Sequence, residues 1–186
     1  MAVTSTATTI LLVRHGETDW NRDRRIQGHT DVPLNESGRE QSRRLAETLA
    51  GDSLAAIYSS DLCRAVETAS ILAARAGLAV RTASGLREKH FGTWEGLTDA
   101  VALERFPHVR TGPWGDGETT DAMAARVTAA LREIADAHAG ETVLVVTHGG
   151  PVRAVLRASG VPPDGSIGNC SVTRISVEDG EFRPID

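Results

Sequence analysis

Two histidines and two arginines, side chains able to attack an electrophile or grip an anion, stand at or shortly after the ends of short apolar runs in this sequence. Thr9–Val13 leads into Arg14-His15-Gly16-Glu17-Thr18, and Thr142–Thr147 leads into His148-Gly149-Gly150. A third run, Ala55–Ser59, leads into Ser60-Asp61, with Arg64 in the opening turn of the helix expected there. Open α/β sheets bind ligands beyond the carboxyl ends of their strands. Parallel pairing of these runs therefore gathers His15, His148, Arg14 and Arg64 at one edge. Imidazole offers a nucleophile, and guanidinium a planar fork that grips two phosphate oxygens. The glycines let backbone approach a ligand closely, and helix N-termini there add donors that favour an anion. A cation is disfavoured in the first turn of a helix, so Arg64 makes sense where an anion sits opposite. The chemistry suggested is phosphoryl transfer.

The elements that must position these groups alternate between strand and helix. A helix is expected over about Ser37–Ala50, with Ser42, Leu45, Ala46 and Leu49 on one face. The next, about Asp61–Ala76, carries a stripe of Leu62, Ala65, Val66, Ala69, Leu72 and Ala76 and ends at Gly77. Leu78–Thr82 reads as a short strand, and Thr98–Phe106 as helix. Thr119–Ala139 is a long helix with Met123, Val127, Leu131 and Ile134 inward. Thr142–Thr147 is the most apolar strand and hence central. Pro151 suits the first turn of a helix after it. Ser171–Val177 and Glu181–Ile185 read as an edge hairpin turned at Asp179-Gly180. The alternation predicts an α/β fold: a three-layer α/β/α sandwich, its sheet mostly parallel with an antiparallel edge. Gly85–Gly117, rich in Gly, Pro, Trp and His, is expected to form a loop-dominated lid or specificity region.

Composition narrows the function classes. The 186 residues are the size of one domain, residues 1–186, and 40% hydrophobic with 24% charged residues excludes disorder. A formal net charge of −5 argues against general nucleic-acid binding. No apolar run approaches a membrane span, and Met1–Thr9 lacks the pattern of a signal peptide. Two cysteines, Cys63 and Cys170, are too few for a disulfide framework or a zinc site, and the chain reads as cytoplasmic. Lys89 is the only lysine among 20 basic residues, a bias that carries no functional weight.

The motif Leu12-Val13-Arg14-His15-Gly16-Glu17-Thr18, with Asn21 following, resembles the signature of the histidine phosphatase superfamily, which includes the cofactor-dependent phosphoglycerate mutases. The resemblance continues through Gln27-Gly28, Ser59-Ser60-Asp61-Leu62-Cys63-Arg64-Ala65, Leu86-Arg87-Glu88 and Thr147-His148-Gly149-Gly150, covering nearly the whole chain in order. It implies a phosphoglycerate mutase-like fold. It also implies that His15 is a nucleophile forming phosphohistidine, that Arg14, Arg64 and His148 clamp the phosphoryl oxygens, and that Asn21 adds a donor. Glu88 would be the acid-base residue, with Glu95 as its competitor. Gln27, Gly28, Lys89 and Gly149 are expected around the substrate. Lys89 departs from the mutase branch, where arginine commonly stands. Arg14 and Arg64 should disfavour imidazolium at His15 and keep it nucleophilic.

These implications point to a phosphatase for a small phosphorylated metabolite, needing no metal and no other cofactor, acting as monomer or homodimer. The mutases of the family carry a longer, more basic insertion; here Thr98–Asp121 holds only Arg105 and Arg110, which favours water as the acceptor. The alternatives are phosphoryl transfer between substrate hydroxyls and a non-catalytic phosphate-binding regulator. Trp94 and Trp114 fit either a substrate mouth or a small core. His29, His108 and His138 lack metal-site spacing and read as structural.

Overall fold

In the computed structural model, the described residues are 7–106, 116–162 and 165–185. His108, Arg110, Trp114 and the rest of 107–115 lie outside them. The strands are β1 (Thr8–Arg14), β2 (Ala56–Ser59), β3 (Val80–Thr82), β4 (Thr142–Thr147), β5 (Val172–Glu178) and β6 (Glu181–Pro184). The helices are α1 (Asp19–Arg22), α2 (Glu36–Thr48), α3 (Cys63–Ala76), α4 (Asp99–Arg105), α5 (Thr120–Asp136) and α6 (Gly149–Ala158). One sheet runs in the order β3-β2-β4-β1-β5-β6. The first four strands of that order are mutually parallel, while β5 and β6 form the antiparallel edge.

Strand alternation builds the layers. Ile10 and Leu12 of β1, with Val143 and Val145 of β4, face a cluster completed by Met123, Val127 and Leu131 of α5 and Val152 and Val155 of α6. The intervening Leu11, Val13, Leu144 and Val146 face Leu45 and Leu49 beside α2, and Ala65, Ala69 and Leu72 of α3. Both faces of β1 and β4 are therefore apolar, as the continuous hydrophobic runs predict for central parallel strands. Each fully buried aliphatic side chain contributes about 1.5–3 kcal/mol.

Element ends differ from the sequence expectation for identifiable reasons. Helix α3 starts at Cys63 rather than Asp61, because Asp61 is held by Arg87 at 2.6 and 2.7 Å. The cap comes from a distant loop instead, Asp31 Oδ1 accepting from Cys63 N–H at 2.7 Å. Helix α5 stops at Asp136, three residues short of Ala139; Thr8 Oγ1 donates to the carbonyls of Ala135 and His138 there. Helix α1, one turn long, was not expected from periodicity; a capping box between Thr18 and Asn21 holds it.

The segment after β3 and Ile26 of the loop after α1 together form a small separate core. Ile26, Trp94 and Ala102 are buried with Phe91, Leu97 and Phe106 against them, and the Trp94 and Phe106 rings stack at 4.2 Å. Trp94 thus belongs to a satellite core. His138 lies remote from this region, its ring between Glu141 Oε2 at 2.7 Å and the Tyr58 hydroxyl at 3.1 Å.

Candidate active site

Register places the two histidines side by side. Strands β1 and β4 pair in parallel from Thr9 with Thr142 to Arg14 with Thr147, so His15 and His148 each emerge one residue past the last pair. Their ring centroids are 5.1 Å apart in an edge-on arrangement, and both side chains are buried. Turning the chain there requires close backbone approach: a β-carbon on Gly16 would lie 2.5 Å from the Gly38 carbonyl oxygen. The Gly16 N–H donates to Thr68 Oγ1 at 3.0 Å, which ties the loop to α3.

The protonation pattern of His15 follows from its neighbours. Nδ1 lies 2.7 Å from the Gly16 carbonyl oxygen. A carbonyl can only accept, so Nδ1 carries the proton and Nε2 keeps its lone pair. Burial, then the Arg64 and Arg14 charges, hold the His15 pKa well below its ordinary 6.5, against a smaller upward pull from Gly16. The arginine effect expected from sequence is present, but desolvation leads it. His148 is depressed in the same way, by burial first and then by Arg64, His15 and Arg14.

The arginines are anchored through some nitrogens and leave others uncommitted. Arg64 is fully buried, donating to the carbonyls of Gly28 at 2.8 Å and Thr30 at 3.0 Å. Arg14 donates through Nη1 to the Ile167 carbonyl. Three buried nitrogens, Arg14 Nε, Arg64 Nε and His148 Nδ1, have no hydrogen-bond partner among the described residues. A buried donor left unsatisfied costs about 1–3 kcal/mol, more when charged. An anion accepting from these groups would remove that cost. His148 Nε2 meets Ser60 Oγ at 2.9 Å, and Ser60 Oγ accepts from Leu62 N–H at 3.4 Å. With Ser60 donating to Nε2, the His148 proton sits on Nδ1, available to an anion.

Glu88 reaches the same edge from the segment after β3. Its Oε1 accepts from Lys89 N–H at 2.8 Å and its Oε2 from Gly150 N–H at 3.1 Å, at the start of α6. Its own carbonyl is held by His29 Nε2 at 2.8 Å and Arg126 at 2.6 Å. Arg126 also grips the carbonyls of Gly85 and Arg87. Glu95 is a loop staple instead, accepting from His29 N–H, Thr30 N–H and Oγ1, and Phe91 N–H. Burial pushes the Glu95 carboxyl up, but these hydrogen bonds outweigh it and leave its pKa lowered. Glu88, by contrast, faces a cleft.

The remaining expected residues divide into contacts and supports. Asn21 Oδ1 accepts from Thr18 and from Asn169 Nδ2 at 3.2 Å, and Asn169 Nδ2 also donates to the His15 carbonyl at 2.9 Å. Gln27 Oε1 accepts from Thr18 Oγ1, so it braces the loop, and Gly28 acts through the carbonyl that holds Arg64. Gly149 opens α6 beside Arg14, its would-be β-carbon 3.7 Å from Arg14 Nε. Lys89 is buried, with Nζ donating to Thr120 Oγ1 at 3.1 Å and lying over the Phe91 ring. Sequence reasoning missed Asn169, Arg126 and the bracing role of His29. For Asn169 the only available signal was its place just before the edge strand, beside β1.

Comparison with known proteins agrees with this geometry. The family model described as "Histidine phosphatase superfamily (branch 1)" matches residues 10–185. A metal-independent phosphoserine phosphatase of Arabidopsis thaliana is 39% identical over 97% of this chain and 81% of its own length. Phosphoglycerate mutase-like protein 4 of the same plant is 47% identical over 78% of this chain and 68% of its own. The solved structure of a mycobacterial glucosyl-3-phosphoglycerate phosphatase with VO3 superposes with a TM-score of 0.85 at 33% identity, covering 96% of each chain. The six-stranded sheet, its two histidine-bearing strand ends and these matches lead to one conclusion: the chain belongs to the histidine phosphatase superfamily, branch 1.

Proposed function

We propose that this protein is a phosphatase that hydrolyses a small phosphomonoester through a phosphohistidine at His15, without a metal ion. The observation that carries the reading is the His15 tautomer: Nδ1–H is committed to the Gly16 carbonyl, leaving the Nε2 lone pair uncommitted on a ring that feels the Arg64 and Arg14 charges. Relatives named phosphoserine phosphatase and glucosyl-3-phosphoglycerate phosphatase, matching nearly the full chain, support hydrolysis of a phosphomonoester.

In the first half-reaction, Nε2 attacks phosphorus in line, the N–P bond forms and the ester P–O bond breaks. Glu88 gives its proton to the departing alcohol oxygen. In the second, Glu88 takes a proton from water, the water oxygen attacks phosphorus, and the N–P bond returns its electrons to Nε2. Arg14, Arg64 and His148 hold the equatorial oxygens throughout, and their fixed donors spare the reorganisation that water would need. Asn21 and Lys89 border the substrate, while Gln27, Gly28 and Gly149 shape the walls around it. The segment 85–117 acts as the specificity region.

The test is rapid-quench trapping with a generic aryl phosphate. Wild type should yield an acid-labile, alkali-stable phosphoryl adduct on His15, and His15→Ala should lose both adduct and turnover. Equal turnover in the two proteins, or an adduct on another side chain, overturns the reading. Exchange between phosphoglycerate isomers dependent on a bisphosphate primer, exceeding hydrolysis, would identify a mutase instead.

A further inference from the structure

We infer that the cleft beside Glu88 is a subsite for a second anionic group carried by the leaving alcohol, and that Arg153 and Arg157 set this specificity. The inference rests on the phosphatase reading above. The cleft, about 260 Å³, is walled by Glu88, Lys89, Phe91, Met123, Arg153 and Arg157. Glu88 hands its proton to the departing oxygen, so the carbon that bears this oxygen lies on the open side of Glu88. That side is the cleft.

Its wall is cationic in a chain of net charge −5. Arg153 and Arg157 are four residues apart on α6 and so share one helix face. Arg39, Arg87 and Arg126 each hold a carboxylate, whereas Arg153 and Arg157 pair with none among the described residues. Arg153 also crowds the phosphate clamp: its Nη1 and Arg14 Nε stand 3.5 and 3.7 Å from the point where a Gly149 β-carbon would lie. Like charges so placed repel, and an anion in the cleft would offset that repulsion. The ammonium of Lys89, steered by Thr120 and Phe91, adds a third cation to the same wall.

Size limits the occupant. Pockets for drug-sized ligands span roughly 300–1,000 Å³, so this cleft suits a leaving group of a few carbons. A carboxylate and a second phosphate share the required chemistry, and matched substrate pairs separate them. The first pair is 3-phosphoglycerate against glycerol 3-phosphate, which differ by a carboxylate in place of a hydroxymethyl group. The second is propane-1,3-diol bisphosphate against its monophosphate.

Wild type should show a kcat/KM preference of about tenfold or more for the anionic member of at least one pair, and that pair names the group. Arg153→Gln/Arg157→Gln should collapse this preference. Arg157→Gln alone, at an exposed position, should reduce it even if the double variant folds poorly, and Arg157→Lys should restore part of it. Equal kcat/KM within both pairs, with hydrolysis proceeding, overturns the subsite and leaves the phosphatase reading intact. A preference that survives the double variant overturns the assignment to α6. No turnover of any of the four, nor of an aryl phosphate, overturns the phosphatase reading itself.

Discussion

The Gly150 N–H donates to Glu88 Oε2 at 3.1 Å, and a β-carbon on Gly150 would stand 2.1 Å from Glu88 Oε1. Residue 150 therefore fixes the Glu88 carboxyl, the proposed acid-base group, both by what it donates and by the side chain it lacks. Gly150→Ala should displace Glu88 and lower kcat by on the order of 10²-fold, toward the loss in Glu88→Gln, since general acid-base catalysis contributes typically 10²–10⁴-fold. The loss should be larger for glycerol 3-phosphate, whose alkoxide is a poor leaving group, than for p-nitrophenyl phosphate. Equal losses on both substrates would show that Glu88 does not protonate the leaving oxygen.

Arg64 is a buried cation whose geometry lysine cannot reproduce, because one ammonium cannot hold the Gly28 and Thr30 carbonyls and still offer the donor that the proposed phosphoryl clamp requires. Arg64→Lys should lower kcat/KM by on the order of 10²–10³-fold, the usual cost of removing one preorganised donor from a site of developing charge. It should also weaken inhibition by inorganic phosphate, measured as the rise in inhibition constant.

His15 and His148 are both depressed below 6.5, so the unfolded chain binds more protons than the native one between that value and the native pKa. Stability is full above pH 6.5 and falls as pH drops through this window. Thermal melts from about pH 7.5 to about pH 5 should show a falling Tm, with a shallower fall in His15→Gln/His148→Gln. If His15 is the proposed nucleophile, the acid limb of kcat/KM should likewise lie below pH 6.5, because its imidazole stays neutral there.

Arg126 donates to the carbonyls of Gly85, Arg87 and Glu88 and so would act on the reaction through the placement of Glu88, as a positioning residue. Arg126→Lys should lower kcat by roughly ten- to a hundredfold with a much smaller change in KM, since a misplacement near 1 Å can cost 10²-fold. A change confined to Tm, with kcat intact, would reduce Arg126 to a loop support.

The strand framework and the histidine pair were legible because they rest on local signals. Continuous apolar runs announce central parallel strands, and the chemistry-bearing residues follow them directly. Glu88 and Arg64 were legible through the motifs around them. Arg126, Arg153 and Arg157 were not, because each is an ordinary arginine on an amphipathic helix until packing sets Arg126 against the carbonyls around Glu88 and turns Arg153 and Arg157 toward the cleft. Thr98–Asp121 is sparse in cations, but α6 brings two more, Arg153 and Arg157, to the cleft from elsewhere in the chain. Asn169 was hidden for another reason: its contact with the His15 carbonyl spans 154 residues and depends on β5 pairing with β1.

Strand β4 lies between β1 and β2, although it is made long after both. When only the first three strands have been made, Arg14 and His15 at the end of β1 and Arg64 after β2 stand at strands that nothing yet joins. The two flanking strands meet the site only through β4, which pairs with both from the middle of the sheet. A chain ending before residue 148 lacks one of the two histidines that meet at this seam.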